Sequence, residues 1–478
     1  MVSSKTLTIL VVSCVVIAGA GIGLFIFLND NDNDDGTKFV DTLRGLQVYG
    51  NADGDGNIDN DDIAYLERII SGEITEVPKY ADANKDGVVS QADIIQVRKI
   101  IDDTADFIWL TDGDGHDIKV KRNPSRIGCE YYANIELALI LGLKNKVAAI
   151  DYAPYQFKDF YMGAGSNVLN MGNMNSPNYE NLLTMNLDTI LTFSYSGTES
   201  KRDHLVNAGV DVIYLGMYRP DLGVEDPLDS EYYQAILKAG YIFGNAALAR
   251  GEAYLEWLMG IKDMVLTKTA GIAEADRPKV LMTNYSNNTY FISDNINYGW
   301  SLYTSIDPLG QACLAAGGYS VARDILTPEQ YSGGPARTMY GVSGVTPESI
   351  ISAGNIDYTF CHSVKYTYAG SEVATTPAHG YTINDPSAMN AAQALAASRT
   401  QIGNVHDSEI YVIAGDFRNG ASGCMLLLVY MAKILHPDLF ADLDPLSYHQ
   451  QYVTQWMGIQ NYDIHNQGVF ISPMPSSW

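Results

Sequence analysis

Two twelve-residue loops built from Asp and Asn at alternate positions, each followed by an apolar-periodic segment, constrain this chain most. The first starts at Asn51 and places Asp53, Asp55, Asp59 and Asp62 at its third, fifth, ninth and twelfth positions, with Asn57 offering a backbone carbonyl at the seventh. The second starts at Asp82 and repeats the pattern with Asn84, Asp86, Ser90 and Asp93, Val88 taking the carbonyl position. Gly56 and Gly87 fall at the sixth, where such a loop turns sharply. Calcium takes six to eight oxygens in flexible geometry, and this spacing wraps such ligands around one ion per loop. One loop alone would read equally well as an acidic surface turn. Two in the same register, each leading into a helix with one buried face (Ile63 to Ile70, Ile94 to Ile101), imply two calcium sites.

The chain carries 56 acidic against 30 basic side chains in 478 residues, a formal charge of -26. That balance argues against nucleic acid, whose phosphates need Lys and Arg clusters. From Leu7 to Leu28 the sequence is apolar or small and free of charge, long enough to cross a bilayer as a helix. Lys5 precedes it and Asp30, Asp32, Asp34 and Asp35 follow, which orients the remainder outward. The expectation is a single-pass cell-membrane anchor (1–28) with the bulk of the chain extracellular. A cleaved signal, or a lipoprotein signal at Cys14, are the competing readings. An acidic linker (29–45) then leads to the calcium-binding segment (46–104).

A third acidic run, Asp112 to Asp117, ends in Lys121 and Arg122 where later ligands would be needed. With Ile108 to Leu110 before it and Ile118 to Val120 after it, Asp112-Gly113 signals a hairpin turn rather than a metal loop. Strands then alternate with helices. Short apolar strands fall at Val147 to Ile150, Thr189 to Phe193 and Val212 to Leu215, a helical stretch without proline at 231 to about 268, and further strands at Lys279 to Met282, Ile356 to Phe360 and Ile410 to Ile413. Repeated βα units imply a parallel sheet covered by helices. The expected architecture is two α/β lobes, 105–228 and 276–478, joined by a long helix within 229–275. The five cysteines show no paired spacing, so buried small hydrophobes are the expectation for those beyond Cys14.

The paired loop–helix segments resemble the dockerin domain, which shares their spacing and the Asp at position twelve. Asn51 departs from the usual first Asp. Asn60-Asp61 and Gln91-Ala92 occupy the positions where that family recognises its partner, so the resemblance implies a cohesin. The two-lobed remainder resembles the substrate-binding proteins of iron-siderophore and cobalamin importers. The likeness is carried by Pro124-Ser125-Arg126-Ile127 with Leu141-Gly142, by Ser176 to Glu180 leading to Asn186-Leu187-Asp188, and by Ala315 to Tyr319 and Leu435 to Phe440. It implies an ABC permease as partner, docked through Glu180 and Glu348, one acidic residue per lobe. Physically, each also suits the first turn of a helix, where the macrodipole favours a carboxylate.

In open α/β sheets the ligand lies beyond the carboxyl ends of the strands. That rule nominates Tyr131, Tyr132, Tyr152, Tyr155, Tyr195, Tyr218 and Arg219 in the first lobe. In the second it nominates Tyr285, Asn288, Trp300, Arg337, Tyr340, His362 and Arg418. With 32 tyrosines, the chain suits a flat ligand such as haem, a corrinoid or an iron chelate, though for any single tyrosine an ordinary half-buried packing role is the first expectation. Gly-x-Ser-x-Gly, P-loop and His-Glu-x-x-His motifs are absent from the sequence, so no enzymatic role is expected. The alternative is a cohesin-dependent surface assembly protein whose lobes act in interaction rather than transport.

Overall fold

The computed structural model describes residues 39–40, 45–193, 196–285, 300–335, 339–363, 380–382, 403–475 and 478. The expected membrane segment, Tyr195, Asn288 and Arg337 lie outside them. Among the described residues no helix is long and apolar enough to cross a membrane.

Helices α1 (Asn60–Ile70) and α2 (Gln91–Ile101) begin before the apolar pattern does, because the loops cap them. Asp59 and Ser90 accept bonds from the first-turn backbone, while Asp62 and Asp93 reach back to the cap residues, closing two capping boxes. The short strands β1 (Phe39–Val40) and β2 (Val77–Pro78) pair in parallel beside them.

This segment does not stand apart. Val48 bridges Leu110 in the hairpin formed by β3 (Phe107–Thr111) and β4 (Asp117–Lys121). The amides of Tyr49 and Thr111 complete the join, donating to Trp109 O and Gln47 O at 2.9 and 3.1 Å. Leu46, Leu66, Val97 and Ile100 share one core with Ile108, Val120 and Ile242. Arg122, its side chain wholly buried, donates to Ile100 O at the end of α2 (2.7 Å), to Tyr241 O (3.0 Å) and to Asn245 Oδ1 (2.9 Å), and pairs with Asp103. The 46–104 segment, expected as a separate small domain, thus packs on the chain that follows. The 112–117 run is the expected turn, with Asp112 accepting the amides of Asp114 and His116 and pairing with Arg202 at 2.8 Å.

The first lobe is a five-stranded parallel sheet built from β5 (Ile127–Cys129), β6 (Val147–Ile150), β7 (Leu169–Asn170), β8 (Thr189–Thr192) and β9 (Asp211–Tyr214), in the order β7-β6-β5-β8-β9. Helix α3 (Tyr131–Ile140) leaves β5 directly. The helical stretch expected as continuous from 231 is two helices, Glu231–Phe243 and Asn245–Thr269, broken at Gly244. Gly244 has φ +98, and a Cβ there would stand 2.3 Å from Asn123 Oδ1, so only glycine allows the bend. The two helices fold back on each other, Gly240 lying against Leu248 and Gly251 against Ile236.

The second lobe departs from a purely parallel expectation. Its sheet runs β13 (Gly341–Val345), β11 (Trp300–Tyr303), β10 (Lys279–Tyr285), β14 (Tyr358–Ser363), β15 (Glu409–Ile413), β16 (Ile471–Ser472), with β12 (Tyr319–Ser320) also on β10. The central pairs β10–β14 and β14–β15 are parallel, while β11, β13 and β16 join antiparallel. The sequence at the edges alternates no differently from the centre, so direction there is set by the connections rather than by strand composition. Cys129, Cys313, Cys361 and Cys424 are buried free thiols, as expected.

His449 is fully buried between Tyr381 Oη (2.8 Å from Nε2) and Tyr430 Oη (3.0 Å from Nδ1), and burial pulls its pKa down to about 3. Folding therefore holds the ring neutral while an unfolded chain would protonate it. The stability so gained is present above the ordinary histidine range and is lost as pH falls from there toward 3. A His449→Gln variant should be less stable at pH 7, and the gap to the parent chain should shrink by a few kcal/mol between pH 6.5 and 4 in urea titrations.

Candidate functional site

The carboxyl ends of β5, β6 and β8 converge on the seam between the lobes, and two carboxylates organise them. Glu130, directly after β5, is 1% exposed and accepts from Thr198 Oγ1 and from the amide of Phe193. Asp151, directly after β6, accepts the amide of Tyr131 at 3.1 Å. Burial pushes Glu130 up to about 7 and Asp151 well above its ordinary value, while their mutual repulsion adds to the second shift. The sequence reading passed over both, although an acid placed immediately after a buried strand was the available signal.

These anchors hold Tyr131 at φ +65, a left-handed conformation that costs a bulky side chain about 1 kcal/mol. The strain aims its hydroxyl across the seam, donating to Asn419 Oδ1 of the second lobe at 2.6 Å. Its ring stacks on Phe193 with centroids 4.0 Å apart, and Tyr132 meets it edge-on. Phe193 in turn meets Tyr218 edge-on, and Tyr218 meets Tyr340 from the opposite lobe at 4.6 Å.

From the second lobe, the Arg418 guanidinium lies 5.1 Å from the ring centroids of both Tyr218 and Tyr303. Its Nε and Nη2 both donate to Asp307 Oδ2, at 2.9 and 2.6 Å. Asp307 is fully buried, so this pair carries no net charge into the seam. Tyr303 Oη bonds His362 Nδ1 at 3.0 Å. Burial, and the neighbouring Arg418 cation, hold the His362 pKa well below its ordinary value, which keeps the ring neutral.

Seven of the residues nominated from sequence therefore divide clearly. Tyr131, Tyr132, Tyr218, Tyr340, His362 and Arg418 come together with Phe193, Tyr303 and Asp307, which were not nominated. Arg219 goes elsewhere, its guanidinium held by Glu231 at the start of the helix Glu231–Phe243. Tyr152 and Tyr155 occupy a short helix after β6 and are half-buried. Trp300 lies in the core of the second lobe with Leu281, Leu302 and Val345. Tyr285 ends β10, and its side chain is outside the described part. Glu180 and Glu348 are exposed on the first turns of Tyr179–Thr184 and Pro347–Ser352.

Behind the seam, Glu136 of α3 joins the lobes. This fully buried carboxylate accepts from Tyr161 Oη of its own lobe (3.1 Å), and from Tyr452 Oη (2.5 Å) and the Ala421 amide (2.7 Å) of the other. Burial pushes its pKa up to about 7 against the pull of these donors.

In the first calcium-type loop, Asp62 accepts the amides of Ala52, Asp53 and Asp59, and in the second Asp93 accepts those of Asn84 and Ser90. Asp82 accepts from Asp86 and Gly87. Asn51 is 1% exposed, and its Oδ1 is a buried acceptor without a hydrogen-bond partner. A buried carbonyl oxygen left unpaired at the first ligand position is what a cation would satisfy. Among the described residues no three His, Cys, Asp or Glu side chains gather as a metal-holding group. The oxygens of Asn51, Asn57, Asn84, Val88 and Ser90 would have to complete the shells. The fourth position is left-handed in both loops, Gly54 at φ +80 and Lys85 at φ +59, whereas at the sixth Gly87 has the expected left-handed turn (φ +94) and Gly56 does not. Gly56 instead faces Leu228, and the Ile58 amide donates to Tyr241 Oη at 2.7 Å.

Residues 49–102 match the family model of the dockerin type I domain. This segment is a dockerin. Comparison of the sequence with curated proteins gives no match. Among solved structures, the chain is similar to the TroA-like periplasmic binding protein FepB of Veillonella parvula, with TM-score 0.55, 14% identity and 76% of this chain and 98% of that one covered. A periplasmic solute-binding protein of the same organism follows at 0.51, 14% identity, 75% and 96% covered. Helicobacter pylori CeuE, in a nickel–histidine complex, gives 0.51 at 12% identity with 75% and 98% covered. At such identities the likeness is one of fold: beside its dockerin, the chain has a periplasmic-binding-protein architecture.

Replacing Glu136 by Leu leaves an amide and two hydroxyls buried without an acceptor, and should cost about 3 kcal/mol in urea unfolding. Glu136→Gln, which keeps one acceptor oxygen, should cost less than half as much. A Glu136→Leu chain no less stable than the Glu136→Gln chain would mean that the interlobe bonds to this side chain contribute nothing to stability.

Proposed function

We propose that this chain is the substrate-binding protein of an ABC importer for an iron complex (siderophore or haem) or a corrinoid, tethered to the cell membrane by residues 7–28 and not an enzyme. The observation carrying this reading is the seam lined by Tyr131, Phe193, Tyr218, Tyr303 and Tyr340, in which the Arg418 cation is already neutralised by Asp307. Stacked aromatic faces without net charge suit a large flat ligand rather than a small ion. CeuE, of the same fold, was crystallised with a metal complex. Glu180 and Glu348, exposed one on each lobe, fit docking on a basic permease surface. Calorimetric titration of the full chain in detergent with cobalamin, haemin and ferric siderophores tests the reading. One should bind at micromolar or tighter affinity, and Tyr218→Ala should weaken it at least tenfold. Failure of all three would turn the choice to the second reading.

That second reading is cohesin-dependent surface assembly. It is favoured by Asn60, Asp61, Gln91 and Ala92, which stay exposed although the opposite side of the dockerin is buried against the body.

In both readings the dockerin holds two calcium ions, through Asn51, Asp53, Asp55, Asn57, Asp59 and Asp62, and through Asp82, Asn84, Asp86, Val88, Ser90 and Asp93. Because its core is continuous with the first lobe, calcium should stabilise both together. A hundredfold excess over the dissociation constant is worth about 2.7 kcal/mol per site. EDTA should lower the melting temperature of the whole chain in a single transition, and Asp93→Ala should remove part of the calcium-induced rise. A body whose melting ignores calcium would show the two parts to be uncoupled.

A further inference from the structure

A second cleft, of about 340 Å³, opens where the dockerin, the β3–β4 hairpin and the start of the helix Glu231–Phe243 meet. Glu231, Gln234 and Lys238 line it from one stripe of that helix, at the three- and four-residue spacing that puts side chains on one face. Gln47 and Lys79 line it from the dockerin side, and Asp112 from the hairpin. Its volume is in the range of small-molecule sites, and none of the residues that line it is among those that form the seam between the lobes.

Apart from Asp229, which is exposed to water, the charges lining this cleft are matched, with one exception. Asp112 pairs with Arg202, Glu231 with Arg219, and Lys79 with Asp117. Lys238 is 2% exposed, and among the described residues it has no ion-pair partner. Its Nζ makes one hydrogen bond, to the neutral Gln47 Oε1 at 2.8 Å, although an ammonium has three protons to give. A buried cation is ordinarily paired, because leaving it without a counter-ion is expensive. Burial accordingly draws its pKa down to about 7.

We propose that this cleft binds a small organic carboxylate, whose anionic group pairs with Lys238 while Gln47 supplies an amide contact. One unmatched positive charge calls for one negative charge. The Asp112 and Glu231 carboxylates beside it disfavour a doubly charged phosphate. Such a ligand would sit against both the dockerin and the lobe-bearing body, and would strengthen the join between them.

Calorimetric titration of the full chain with acetate, lactate and propionate, and with inorganic phosphate for comparison, tests this. At least one carboxylate should bind saturably and more tightly than phosphate, and Lys238→Met should weaken that binding at least tenfold while leaving the calcium titration unchanged. No carboxylate binding, phosphate binding as tight, or equal affinity in the variant each overturns it. Should the methionine variant fail to fold, reductive methylation with labelled formaldehyde provides a readout on the parent chain. The Lys238 dimethylamine resonance should shift on adding the carboxylate, and an unmoved resonance overturns the assignment.

Discussion

The relation of the two lobes rests on one buried carboxylate. Glu136 stands inside α3, and its two oxygens collect donors from both lobes where water cannot compete. A buried acid without such partners would be far costlier than the helix could tolerate, so the donors and the acid hold each other in place. Everything nearer the seam inherits that geometry. Tyr131 reaches Asn419, and Tyr218 meets both Tyr340 and Arg418, only because the lobes are fixed at this distance.

Arg122 plays a comparable part between the dockerin and the body. Its five donors are spread over the end of α2, the end of the helix Glu231–Phe243 and the start of the next, joining elements far apart in sequence. The dockerin is thereby a structural part of the protein rather than a tag on a tether. The first loop meets the body through the bond from Ile58 to Tyr241 and the contact of Gly56 with Leu228. The second loop meets the hairpin through Lys85, which pairs with Asp117 at 3.2 Å.

Much of the fold was legible in the residues. The duplicated loops, their helices, the Asp112-Gly113 hairpin and the strand at 147–150 fall where the spacing put them, because local hydrogen bonding and one-sided burial leave short-range patterns. The site was half legible. The rule that ligands lie beyond strand ends picked out Tyr131, Tyr218, His362 and Arg418, but it also picked Arg219 and Trp300, which satisfy an ion pair and a core. It passed over Phe193, Tyr303 and Asp307, since nothing in their neighbours' spacing distinguishes a ring or acid at the seam from one in a core.

What the sequence alone determined is therefore local: which segments are loops with calcium-type oxygens, and which are strands or helices. What only the tertiary structure decided is which charges are matched. Arg418 finds Asp307, Arg219 finds Glu231, and Lys238 finds no counter-ion among the described residues. Charge pairing between different elements leaves no periodic trace in the chain, because it depends on where the backbone carries each side chain and not on its neighbours in sequence.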